Sequence, residues 1–153
     1  MVRLSDLGPA LAENLLRLPM PQFEGTPFVR PRPLAECRVA IVSTAGLHRR
    51  EDTTFRPGSG DYRIIPGDVA ADDLVMSHIS VNFDRSGFAA DANLVFPIDL
   101  LRTMQVSGEI ASVAAWHYAF MGASDPSTMA ESGAEVGRLL KKDNVDLALL
   151  VPV

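Results

Sequence analysis

Three apolar runs of strand length constrain the fold of this chain more than any other feature. They are "CRVAIVS" at residues 37–43, "IASVAAWH" at 110–117 and "VDLALLVPV" at 145–153. All are rich in Val, Ile, Leu and Ala, with turn residues such as Gly46, Gly108 and Asn144 beside them. A run that is apolar on both faces suits a strand covered on both sides, as in a parallel sheet. The stretches between the second and third runs, and just before the second, have helical signals instead. Pro97 with Leu100, Leu101 and Met104 marks a helix that Gly108 closes. Asp125-Pro126 is a helix start, and Met129, Val136, Leu139 and Leu140 continue it to Lys141-Lys142, where cations suit the helix dipole. Strands joined through helices form right-handed parallel units. The expected fold is therefore α/β: a mainly parallel sheet with flanking helices in Rossmann- or flavodoxin-like layers, including strands 37–44, 110–116 and 145–151. "YRIIP" and "DLVMS" add two short strands, and residues 49–61 and 78–92 read as long loops.

The first 36 residues are of another kind. Gly8-Pro9 with Leu11, Leu15 and Leu18 makes a short amphipathic helix, and five of the eleven prolines crowd residues 19–33. This proline-rich arm is expected to lie extended on the surface, pinned by Phe23 and Phe28, or to reach a partner subunit. The organisation is thus a helix and arm over 1–36 and one α/β domain over 37–153. Net charge is −5 and no basic cluster exceeds a pair, Arg49-Arg50 or Lys141-Lys142, which argues against a nucleic-acid partner. The apolar runs are too short for a membrane span, and residues 1–20 lack a signal-peptide pattern. A single cysteine, Cys37, excludes an intramolecular disulfide and fits a cytoplasmic protein.

The reactive side chains gather behind the strands. His48, His78 and His117 each closely follow an expected strand, in "AIVSTAGLH", "DLVMSH" and "IASVAAWH". Parallel strands would bring them to one sheet edge, where imidazoles transfer protons, bind substrate or ligate metal. Each can equally be a histidine that satisfies loop carbonyls. A three-histidine zinc site lacks the usual HxH or HxxxH spacing. The small residues around Gly46 could admit a ligand to backbone amides. Asp84, Asp91 and Asp99 lie in or near the second long loop, and Asp99 also suits the first turn of a helix. Cys37 opens a strand without a partner and reads as a buried hydrophobe rather than a nucleophile. Phe120 and Met121 read as core.

In order, "VAIVSTAGLH", "GDYRIIPGD", "DLVMSHIS", "NLVFPIDLL", "GEIASVAAWHYAFMG" and "VDLALLVPV" resemble the selenoprotein B component of the glycine/sarcosine/betaine/D-proline reductase family. The likeness is collinear from about residue 38 onward. Its most specific blocks are His117–Gly122 and Val95–Asp99. The resemblance implies an oxidoreductase subunit that cleaves a carbon–nitrogen bond reductively, with a disulfide as acceptor in the reverse sense. It implies a small amino-acid-like substrate, and other reductase subunits or a homo-oligomer as partners. No cofactor is expected on this chain; a pyruvoyl group on a partner subunit holds the substrate amine. His48, His78 and His117 become candidate catalytic residues, and Gly46, Tyr118 and Asp99 candidate substrate-binding residues. No metal is expected.

In that family the run ending in Pro-Val is followed by selenocysteine or cysteine, with a second cysteine three residues on. The domain is therefore expected to be incomplete at its C-terminus, its reading frame ended at a UGA codon that specifies selenocysteine. A genuine stop, giving a degenerate or regulatory fragment, is the alternative. Two other functions stay open from the residues alone: a non-catalytic α/β binding or scaffold subunit, and a metal-dependent hydrolase on the three histidines.

Overall fold

A computed structural model describes residues 3–18, 24–80 and 85–153. Its centre is β1 (Arg38–Ser43), whose Val39, Ala40, Ile41 and Ser43 are all buried. On one side β1 pairs in parallel with β7 (Leu147–Val151), from Val39↔Leu147 to Ser43↔Val151. On its other side lie two parallel pieces. β5 (Ser112–Val113) meets Arg38 and Val39, and β6 (Trp116–Phe120) meets Val42 and Ser43. β3 (Tyr62–Pro66) completes the sheet, antiparallel to β6. A separate antiparallel ribbon joins β2 (Leu47–Arg49) to β4 (Leu74–Met76).

The α/β class is as expected, but the sheet is mixed and does not establish a Rossmann- or flavodoxin-like layering. The physical reason lies in the first connection. From β1 the chain reaches β3 through β2 and a loop without a helix. A parallel return needs a crossover of a dozen or more residues, usually helical, whereas this connection delivers β3 antiparallel.

The strand expected at 110–116 is also corrected. It breaks at Ala114-Ala115 and then runs on to Phe120. Ala114 still donates to the Val39 carbonyl at 2.8 Å, but the amides of Ala115 and Trp116 turn to the Asp143 carboxylate at 2.8 and 3.2 Å. Arg38 braces that carboxylate through a 2.7 Å ion pair.

Of the four α-helices among the described residues, α1 (Pro9–Leu16) lies in the N-terminal segment, and α2 (Ser86–Ala90) is a short helix within the expected loop 78–92. The two that cover the sheet are α3 (Ile98–Val106) and α4 (Ala130–Lys142). Successive strand residues point to opposite faces. Val39 and Ile41 of β1 and Ala119 of β6 pack with Ile98 and Leu101 of α3. Val42, Tyr118 and Phe120 pack with Val136, Leu139 and Leu140 of α4. The start and stop signals act as expected. Asp125 accepts the Ser127 amide at 2.9 Å ahead of a 3-10 turn and α4, and Gly108 follows α3 at φ +77°.

No described residue before Cys37 is buried, and Phe28 is 78% exposed rather than pinned in a groove; Phe23 lies outside the described residues. Arg32 ties the arm to the domain by pairing with Asp146. No described helix is long and apolar enough to cross a membrane.

Candidate functional site

At the carboxyl end of the sheet, two turns run side by side. The first, Thr44–Ala45–Gly46, leaves β1; the second, Met121–Gly122, leaves β6. Gly46 donates its amide to Phe120 at 2.8 Å, Gly122 donates to Thr44 at 2.8 Å, and Ala45 bridges Met121. Both turns need glycine. Gly46 sits at φ +66°, and a Cβ there would lie 2.9 Å from Met121 Cε and 3.0 Å from the His78 nitrogen. A Cβ on Gly122 would lie 2.4 Å from the Val153 carbonyl oxygen. The junction therefore presses against His78 on one side and Val153 on the other.

His78 is 5% exposed. Its Nδ1 accepts the Ser80 amide at 3.3 Å, which leaves the proton of the neutral ring on Nε2. Its carbonyl accepts from Arg85. Burial, and then the nearby Arg85 guanidinium, hold the imidazole below its ordinary pKa, so it is neutral at pH 7. The adjacent Ser77 amide donates to Gly46 O at 3.0 Å, fixing His78 to the first turn.

His48 lies in β2, opposite Val75 of β4. Its Nδ1 sits 2.7 Å from the Arg49 carbonyl, which can only accept, so Nδ1 carries the proton. Nε2 is then a buried acceptor with no hydrogen-bond partner among the described residues.

His117 was expected behind a strand but lies within one. It is the second residue of β6, fully buried, and its Nδ1 accepts the Ile41 amide at 2.8 Å. The ring thus fills the gap in the ladder left by the Ala114-Ala115 break, with its plane perpendicular to Phe96. Burial pushes its pKa down to about 4.

The remaining expected positions do not join the histidines. Tyr118 points to the opposite face from His117, packs edge-on against Tyr62, and lines a cavity of about 290 Å³ with Ile64, Trp116, Leu139, Lys142 and Asp143. Burial, then Asp143 and Tyr62, raise its phenol pKa. That cavity is a shelf on the α4 face, and we place the candidate site at the junction, where two turns at the carboxyl edge of the sheet meet beside His78. Asp99 is exposed in the first turn of α3, paired with Arg102 at 2.7 Å. Asp91 accepts the Asn93 amide at 2.8 Å in a 3-10 turn, and Asp84 lies outside the described residues. Among the described residues no His, Cys, Asp and Glu cluster could hold a metal ion. Cys37 is fully buried at the amino end of β1, its thiol donating to the carbonyls of Arg32 and Pro33.

Sequence reasoning missed Thr44, Met121 and Gly122 as site residues. The signal that could have found them is the pair of small-residue turns, "STAG" and "FMG", each directly behind a strand.

Residues 13–152 match the family model of glycine/sarcosine/betaine reductase selenoprotein B. D-proline reductase subunit gamma of Acetoanaerobium sticklandii is 36% identical over 120 residues, covering 76% of this chain and 49% of that protein. Glycine reductase complex component B subunit gamma of Carboxydothermus hydrogenoformans is 28% identical over 144 residues, covering 87% of this chain and 32% of its own. Sarcosine reductase complex component B subunit beta of Peptoclostridium acidaminophilum is 29% identical over 143 residues, covering 86% and 32%. The chain thus spans between a third and a half of the curated relatives it matches. No solved structure matches it.

Proposed function

The chain belongs to the glycine/sarcosine/betaine reductase selenoprotein B family, and from that premise we propose that it serves as a subunit of a thiol-driven reductase. The assembled enzyme cleaves the carbon–nitrogen bond of a small amino-acid-like substrate in a reducing cytoplasm. The observation that carries this reading is the pair of turns at the carboxyl edge of the sheet, with His78 against one turn and Val153 against the other. Strand ends at such an edge are where α/β proteins gather their chemistry.

In this account a selenolate or thiolate displaces the amine, which takes a proton from solvent; a second thiolate then attacks the sulfur or selenium, the carbon fragment leaves and is protonated, and the resulting disulfide or selenenyl sulfide is reduced by the dithiol. Cys37 does not supply the attack, because it is sealed at the far end of β1. The nucleophile is supplied by another part of the assembled enzyme. A pyruvoyl group on a partner subunit would supply the carbonyl chemistry that binds the amine, and no residue of this chain is assigned to hold it. His78 Nε2–H offers a hydrogen bond to the substrate carboxylate. The buried Nε2 of His48 accepts a hydrogen bond from the same region. His117 holds β6 in register beneath them, and Gly46 keeps His78 against the turn.

The test is to purify the chain with its companion subunits and supply a dithiol with glycine, sarcosine, betaine or D-proline. The assembly should release amine from, or open the ring of, at least one of them, while the isolated chain should be inert. Turnover by the isolated chain, undiminished by Cys37→Ser, would overturn the assignment and move the chemistry to the histidines.

A further inference from the structure

We propose that the shelf between the sheet and the last turn of α4 is a binding site for a small carboxylate with an apolar body. The site stands apart from the turns at the carboxyl edge and does not depend on the reductase reading. Its floor is one face of the sheet. Trp116 and Tyr118 are two residues apart on β6, and Ile64 pairs with Tyr118 across the β3 ladder. Its roof is Leu139 and Lys142, three residues apart on α4, with Asp143 directly after the helix. The roof leaves Trp116 47% and Ile64 41% exposed. The cavity of about 290 Å³ has the character of a small-molecule pocket: mostly apolar walls and a few polar groups.

Two donors in this apolar setting lack a partner. Tyr118 is 2% exposed, yet its hydroxyl makes no hydrogen bond among the described residues, whereas a buried phenol usually has one. Burial, then Asp143 and Tyr62, raise its pKa, so the phenol stays protonated and can donate. The Lys142 ammonium likewise has no ion pair or hydrogen bond among the described residues. Asp143 does not neutralise it. One oxygen of that carboxylate takes Arg38 at 2.7 Å, and the other accepts the Ala115 and Trp116 amides at 2.8 and 3.2 Å. A ligand carboxylate can accept from both Lys142 and Tyr118, while its apolar body covers Trp116, Ile64 and Leu139. Lys142 alone would be a cation serving the helix dipole. The buried, unpartnered hydroxyl of Tyr118 is what points to a ligand.

Trp116 is the single tryptophan, so its fluorescence reads the site directly. The full chain is titrated with phenylacetate, with neutral phenylacetamide and with the phenethylammonium cation. Phenylacetate should give a saturable change, the amide should bind about 10-fold more weakly, and the cation should not saturate. Lys142→Met, an exchange at an exposed position, should weaken phenylacetate about 10-fold and leave the amide as it was. Tyr118→Phe should weaken both by about 3- to 10-fold. His78→Asn should leave phenylacetate binding unchanged, because His78 does not line the cavity. Absence of saturation with phenylacetate overturns the proposal. So does equal binding of acid and amide, or a Lys142→Met chain that binds the acid as the wild type does. Loss of binding in His78→Asn would move the acid to the carboxyl edge and overturn the proposal as well.

Discussion

Replacing His117 with phenylalanine should convert a pH-sensitive fold into a less sensitive one. The histidine has two opposing effects on stability. Its Nδ1 satisfies the Ile41 amide inside the sheet, and leaving a buried amide unpaired costs about 1–3 kcal/mol. Its Nε2–H is buried with no hydrogen-bond partner among the described residues, and phenylalanine removes that burden while keeping a ring against Phe96. The net cost of His117→Phe at pH 7 is therefore about 1–2 kcal/mol.

The balance changes with acid. The ordinary histidine pKa of 6.5 falls to about 4 in the fold. The unfolded chain thus takes up its proton first, so stability from this group is full above pH 6.5 and is lost as pH falls toward 4. Between pH 7 and pH 5 the loss works out at about 2 kcal/mol. Over that range the wild type should lose about 2 kcal/mol more than the variant, so His117→Phe becomes as stable as wild type, or more stable, near pH 5. Urea unfolding at pH 7, 6 and 5 reads this, with fluorescence of the single Trp116, half-exposed beside His117, as the signal. Equal pH slopes in the two proteins would refute the reasoning.

Two other substitutions test the supports of the site. Asp143→Ala removes the acceptor for the Ala115 and Trp116 amides and for Arg38, and should lower stability by about 2 kcal/mol; an unchanged urea midpoint would show the strand break is self-supporting. Gly46→Ala combines a left-handed backbone, costing about 1–2 kcal/mol, with a Cβ 3.0 Å from the His78 nitrogen. Its thermal midpoint should fall by more than that of Gly108→Ala, which shares the positive φ with nothing within 4 Å of its Cβ position. Equal losses would mean that the contact with His78 carries no load.

Much of the fold was legible because its signals are local. The Val and Ile of β1, the apolar run of β7, the Asp125 cap and Gly108 each act on their immediate neighbours, and each element formed within a few residues of its expected limits. The break between β5 and β6 was not legible. It depends on a carboxylate at Asp143, 27–28 residues away, and on an imidazole that replaces a ladder bond. The orientation of β3 was equally hidden, since strand propensity carries no direction. In the site, Gly46 lies against the backbone of His78. His117 and Tyr118 are neighbours in sequence whose side chains the pleat sends to opposite faces. Thr44 and Gly122 were overlooked because their meaning is a contact with Val153, 109 and 31 residues away.

The most direct test of the central claim is the effect of His78→Asn on reductive cleavage by the assembled enzyme. Asparagine can keep the acceptor that Nδ1 offers to the Ser80 amide, while removing the Nε2–H that the account aims at the substrate. A thiol-driven amine-release assay should show kcat reduced by about 100-fold or more, at an unchanged melting temperature. Asp99→Asn, on the exposed first turn of α3, should leave kcat unchanged in the same assay. Wild-type turnover by the His78→Asn enzyme would contradict the account and take the reaction away from the carboxyl edge of the sheet.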